Sequence, residues 1–389
     1  MPSSDRIAAL KPIVSEWRRD IHQHPEMLYE VHRTAGLVAE KLRSFGVDEV
    51  VTGLGKTGVV GLVRGRKQQS GKVIGLRADM DALPIDELTN LPHRSQNPGV
   101  MHACGHDGHT AMLLGAAKYL AETRDFDGTA VLIFQPAEEG GAGGMAMIND
   151  GLMERFQIRE VYGMHNLPGL PVGEFALAPG PMMAAADRFD VTIEGRGGHA
   201  AYPHQTIDTV LAAAHIITAL QSIVSRNVNP LDATVISVTA VHAGEAFNVL
   251  PQTVSFRGTV RTLTPKMRDF VEKRFAEVVE ATAKGFGATA TVTYSRGYPV
   301  TENHPAQTDF ATQVARRVAG PKGVDSAMRP SMGAEDFSYM LEARPGAFIF
   351  VGNGDTAGLH HPAYDFNDDA IPAGIGYWAT LVETAMPVG

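Results

Sequence analysis

Short, unbroken apolar runs bounded by turn residues occur at 73–76, 130–134, 161–164 and 347–351. Runs of this length without polar alternation fit strands buried on both faces. Between the first two lies a stretch rich in Ala, Leu and Met, about 108–123, that reads as a helix. Residues 7–46 read as two more helices, broken at His24-Pro25 where the proline ring interrupts the hydrogen-bond ladder. Buried strands alternating with helices predict an α/β sheet covered on both faces.

In the middle of the chain the pattern changes. Phe189, Val191 and Ile193 alternate with polar residues, the mark of a half-exposed strand. A helix candidate at 206–225, strands at 234–241 and 253–261, a helix at 265–284 and a strand at 289–294 follow. This β-α-β-β-α-β order is that of a ferredoxin-like unit. Residues 186–296 are therefore expected to form a small α+β domain inserted into a larger one made of 1–185 and 297–389.

Bulk properties narrow the classes. A chain of 389 residues suits two domains, and 44% hydrophobic with 20% charged residues is a globular composition. No apolar run is expected to be long enough to span a bilayer, and no secretory leader is expected from the opening residues. A formal charge of -9 argues against nucleic acid or an anionic membrane as partner. The single cysteine excludes an internal disulfide and points to a reducing compartment, the cytoplasm.

Polar clusters sit where the predicted strands end. Arg77-Ala78-Asp79-Met80-Asp81 follows the first run, offering carboxylates that could serve a metal site directly or orient its ligands. His102-Ala103-Cys104-Gly105-His106-Asp107-Gly108-His109 precedes the helix, with Cys-x-His at a glycine turn and Asp107 able to orient an imidazole. Ala137-Glu138-Glu139-Gly140 follows the second run, so that one glutamate can bind metal while the other takes a proton from water. His165 follows the third, and His360-His361-Pro362 lies beyond the fourth. Together they supply enough ligands for two divalent ions, which can generate hydroxide at neutral pH and clamp a tetrahedral oxyanion. No Gly-x-Ser-x-Gly elbow suggests a serine hydrolase instead. Met182, Met183, Phe337 and Met340 are candidate pocket residues, though such residues are more often core than pocket.

The strings Arg-Ala-Asp-Met-Asp-Ala-Leu-Pro, Met-His-Ala-Cys-Gly-His-Asp-Gly-His and Gln-Pro-Ala-Glu-Glu-Gly resemble the aminoacylase/carboxypeptidase family of two-metal peptidases, and within it the hippurate hydrolase and indole-acetyl-amino-acid hydrolase branch. Gly-Met-His-Asn, Gly-Arg-Gly-Gly-His-Ala-Ala-Tyr-Pro-His and His-His-Pro extend the resemblance through nearly the whole chain. It implies a zinc-peptidase-like three-layer catalytic domain interrupted by a lid and dimerisation domain, in a homodimer. It also implies hydrolysis of N-acyl amino acids through a metal-activated water. Cys104, His106, Glu139, His165 and His360 become the metal ligands, Glu138 the general base and acid, and Asp81 an orienting carboxylate. His199 would stabilise the oxyanion, and Asn248 and Arg261 would hold the substrate carboxylate. The thiolate favours zinc or another thiophilic ion such as nickel or cobalt, while the branch also includes manganese enzymes. Dipeptidase or N-acetyl-diaminopimelate deacetylase activity, or a silent metal-binding protein on the same scaffold, are the alternatives.

Overall fold

The computed structural model describes residues 2–389. They divide into two compact units, one comprising the chain up to Met182 with Glu302–Arg329 and Asp336–Gly389, the other Met183–Thr301 with Pro330–Glu335.

The larger unit is organised by an eight-stranded sheet. Its strands lie in the order Glu49–Leu54, Gly58–Arg64, Thr129–Gln135, Val73–Asp79, Glu160–Pro168, Gly346–Gly354, Phe175–Ala176 and Val324–Asp325. The four apolar runs are the third to sixth of these and are mutually parallel. Burial is continuous along Val73–Asp79, Thr129–Gln135 and Gly346–Gly354, so both faces are covered and no polar alternation is needed. An antiparallel hairpin, Glu49–Leu54 with Gly58–Arg64, extends one edge. The helices Ser4–Gln23, His106–Thr123 and Ile371–Ala385 pack on one another. Gly374 permits that approach, since a Cβ there would lie 2.1 Å from the Met112 sulfur. Parallel strands end at a common edge, after Asp79, Gln135, Pro168 and Gly354; His165, expected just past its strand, lies within it, paired with Phe350.

The second unit carries a four-stranded antiparallel sheet in the order Thr234–Ala243, Thr253–Thr262, Ala185–Glu194, Thr289–Arg296. With the helices Thr209–Ser222 and Pro265–Gly285 this is the ferredoxin-like β-α-β-β-α-β order. Both helices start at side-chain caps: Asp208 accepts from the Leu211 N–H, and Thr264 from the Met267 N–H ahead of which Pro265 sits at the first helical position. Their apolar faces cover one side of the sheet, meeting Phe189, Val191 and Ile193. Thr209–Asn227 is long and apolar enough, by length and composition, to cross a membrane. In the fold, Ala212, Ala213, Ile216, Leu220 and Ile223 of this segment are buried in that core. Arg268 reaches under the sheet to Asp187 at 2.6 Å, joined by the Tyr294 hydroxyl, which donates to Asp187 at 3.0 Å.

Candidate active site

The turn before helix His106–Thr123 sets the first donors. Gly105 has φ 88°, and a Cβ on it would lie 2.3 Å from Asn166 Nδ2 and 2.5 Å from the Tyr364 hydroxyl. Only glycine fits, which lets Cys104 and His106 flank a tight turn. Cys104 Sγ lies 3.4 Å from His165 Nε2. His165 is placed by its strand, and its Nδ1–H donates to the Asn166 carbonyl at 2.7 Å, leaving Nε2 to face the sulfur.

The glutamate pair is placed by Asp81. Its two carboxylate oxygens accept the backbone N–H groups of Glu138 at 2.9 Å and Glu139 at 3.1 Å. The chain enters this turn through Ala137 at φ 54°, a left-handed conformation rare for a residue with a Cβ. Glu139 Oε1 then stands 3.4 Å from His360 Nε2 and 3.9 Å from His106 Nε2. His360 is also left-handed, at φ 63°, held by its N–H donating to the Ala103 carbonyl at 2.7 Å.

Two groups of donor atoms result, each within 4.8 Å: Cys104, His106 and His165, and Cys104, Glu139 and His360. Glu138 forms a further group with His106 and Glu139. Among the described residues, both ring nitrogens of His106 and Oε1 of Glu139 are buried without hydrogen-bond partners. Buried polar atoms are rarely left so unless something else takes them. A thiol, imidazoles and a carboxylate suit a divalent cation, so these residues fit a metal centre.

The electrostatics follow from burial and crowding. Burial and the neighbouring His109 hold His165 well below the usual histidine range, keeping it in the neutral form that can ligate. Burial pushes the Cys104 thiol up, against the pull of His106. The Cys104 sulfur and the Glu139 carboxylate beside its ring push His360 up to about 10. Protons thus hold the cluster's charges together, a role that a cation held by these residues would take over.

Around this cluster lies a buried polar frame. Arg77 and Asp79, two apart on one strand, point to the same side and pair at 2.7 Å. Arg77 also donates to Gln135 and to Asp336, each at 2.9 Å. Asp336 accepts from the Gly144 N–H at 2.8 Å, and its own N–H donates to Glu138 Oε1 at 3.4 Å. Asp107 does receive an imidazole, but it is that of His22 on the first helix, whose Nδ1 lies 2.8 Å away. Arg18, one turn before His22, donates to Asp368 at 2.8 Å and Asp365 at 3.0 Å. Arg77 stands in the Arg-Ala-Asp-Met-Asp motif without a role assigned to it, and motif spacing singles out none of Asp336, Arg18 or His22. A signal does exist for the last two: they are polar residues at i and i+4 on a helix face otherwise buried through Val14, Trp17 and Ile21.

His199, Asn248 and Arg261 belong to the second unit. His199 and Val249 pair on a two-stranded ribbon, where the Ala200 N–H donates to the Asn248 carbonyl at 3.0 Å. His199 and Asn248 are exposed, whereas Arg261 is half-buried on Thr253–Thr262. Of the candidate pocket residues, Met182, Phe337 and Met340 are fully buried core and Met183 is half-buried.

The chain matches the model of peptidase family M20/M25/M40 over residues 75–384 and belongs to that family. It is 44% identical to a hippurate hydrolase of Campylobacter jejuni over 364 residues, 94% of each chain. It is 44% identical to an N-acetyl-L-cysteine deacetylase of Bacillus subtilis over 355 residues, 91% of this chain and 83% of that one. Among solved structures it resembles the Bacillus subtilis YXEP protein, a dinuclear metal-binding peptidase of family M20. The TM-score is 0.86 at 35% identity, covering 97% of this chain and 99% of that one.

Proposed function

We propose that this chain hydrolyses the amide bond of N-acyl amino acids at a two-metal centre held by Cys104, His106, Glu139, His165 and His360. The observation that carries this reading is the sharing of Cys104 between two donor groups beside Glu138, at the carboxyl edge of the parallel strands. Hippurate and N-acetylcysteine, the substrates in the relatives' names, are both N-acyl amino acids.

Divalent ions bound there supply an acidified water and Lewis-acid polarisation of the amide carbonyl. Glu138 takes the proton from the attacking water and delivers it to the leaving amine nitrogen. Asp81 contributes by fixing the backbone of both glutamates, and in this reading Glu139 ligates while Glu138 transfers the proton. In this reading His199 stabilises the oxyanion, and Asn248 with Arg261 holds the substrate carboxylate, a task suited to a guanidinium fork. The second unit serves as lid and as the surface through which two copies form a homodimer. The enzyme works in the cytoplasm, and its thiolate favours zinc over manganese.

The test is metal analysis of the purified protein paired with hydrolysis assays on hippurate and several N-acetyl amino acids, with and without Zn²⁺ or Mn²⁺. About two ions per chain and metal-dependent release of free amino acid are expected for a two-metal amidohydrolase. Bound metal without turnover on any of these substrates would turn the reading toward dipeptides or toward a silent metal-binding protein, and absence of bound metal would remove the ligand set.

A further inference from the structure

His109 lies three residues beyond Cys104-Gly105-His106 yet belongs to neither of the two Cys104 donor groups. It does group with Asp79 and His106, so a third cation position would be conceivable there. Its hydrogen bonds argue otherwise. Nδ1 lies 2.6 Å from Asp79 Oδ1, while the backbone N–H of Asn166 donates to Nε2 at 2.9 Å. Asn166 Nδ2 reaches the same Nε2 at 3.0 Å. A nitrogen that accepts N–H groups carries no proton, so the ring's proton sits on Nδ1 and points to Asp79. Both nitrogens are then spent.

The partners matter more than the ring. Asn166 follows His165 directly and donates through Nδ2 to the Cys104 carbonyl at 2.6 Å, while its Oδ1 accepts from the Tyr364 hydroxyl at 2.8 Å. The ring of His109 also stands edge-on to that of His165, with centroids 4.4 Å apart. Asp79, on the other side, is clamped by Arg77 at 2.7 Å. His109 thus links the end of one parallel strand to the backbone of the next, and through Asn166 to the Cys104 turn.

We propose that His109 is a positioning residue, fixed as its Nδ1–H tautomer, that holds Cys104 and His165 at the spacing a metal ion requires. The inference rests on the ligand set proposed above. Outer partners of this kind typically change metal affinity by about 10–100-fold when removed.

Three substitutions separate the contributions. His109→Phe keeps a ring and loses both hydrogen bonds. His109→Gln can offer its amide oxygen near the Nε2 position and keep the Asn166 contact. His109→Asn can keep only the donor toward Asp79. Metal affinity is measured by titration of Zn²⁺ into the metal-free protein. Co²⁺ substitution is followed through the thiolate-to-cobalt charge-transfer band, which reports Cys104 directly.

His109→Phe is expected to lose roughly 10–100-fold in affinity, with a shifted or weakened band. His109→Gln should recover more of both than His109→Asn. If His109→Phe fails to fold, the same ordering is read from the other two. Unchanged affinity and band in His109→Phe, or equal losses in Gln and Asn, would overturn the proposal while leaving the ligand set standing. A parent protein whose cobalt spectrum is unaltered by Cys104→Ala would overturn the ligand set, and this proposal with it.

Discussion

Along Thr129–Gln135 every residue after the first is buried, whereas along Ala185–Glu194 burial alternates, leaving Arg188, Asp190, Thr192 and Glu194 exposed. The first strand lies inside a sheet covered on both faces, and the second has helices on one face only. A doubly covered sheet has no free face on which to build chemistry. Reactive groups can collect only where the backbone ladder stops, and parallel strands stop together. That is why Asp79, Glu138, Glu139 and His165 converge from distant stretches of sequence. The one-sided sheet can instead present residues along its whole open face, and a short ribbon beyond it carries His199 and Asn248.

The largest effect that could break this contrast is on turnover. Glu138→Gln removes a proton acceptor from the edge of the covered sheet while keeping the side chain's size and the Asp81 contacts to its backbone. Turnover is expected to fall by about 10²–10⁴-fold with metal content unchanged. Steady-state kinetics with metal analysis on the same sample checks both halves. Normal turnover would place bond-breaking elsewhere.

The contrast in burial is sharpened by pairs of neighbouring substitutions. Leu132→Ala and Ile133→Ala point to opposite faces of one strand, and both should destabilise by about 2–5 kcal/mol because both faces are packed. Val191→Ala in the second sheet should cost a kilocalorie or more by the same mechanism, while Thr192→Ala beside it stays within about 0.5 kcal/mol. Urea denaturation of the four variants decides the matter. Equal costs for Val191 and Thr192 would mean that the open face is covered in solution.

The same contrast explains what could be read from sequence. The four central strands are legible because burial on both faces leaves unbroken apolar runs, and the second sheet because burial on one face leaves alternation. The hairpin Glu49–Leu54 with Gly58–Arg64 is not, since Gly53, Gly55, Gly58 and Gly61 read as turns and the first strand is largely exposed. The donor clusters stand out because chemistry-bearing residues are dense at strand ends. The frame around them does not. Asp336 follows no apolar run, and its bonds to Arg77 and Gln135 join positions far apart in the chain. The left-handed turns at Ala137 and His360 leave no trace either, because neither is glycine.

Buried charge is a further property that the two units handle differently. The second unit buries Asp187 against Arg268, with no histidine in the pair. The larger unit buries His22 between Asp107, at 2.8 Å from Nδ1, and Glu87, at 3.4 Å from Nε2, with Arg18 nearby. Burial alone would lower the pKa of His22, but these carboxylates outweigh it and Arg18, and raise it from 6.5 to about 9. Below pH 6.5 folded and unfolded chains both carry this proton, and its stabilising effect is fully present. Between 6.5 and about 9 only the folded chain keeps it, so stability should fall as pH rises through that window and level off above it. Burial pushes the nearby His102 down to about 3, so it titrates below the window. Denaturation midpoints of the parent and His22→Phe, compared from pH 6 to 10, isolate the contribution. The variant should be less stable at pH 6, and the difference should shrink toward pH 10. A constant difference across the range would mean that His22 acts by packing, and that its proton does not bind the first helix to Asp107.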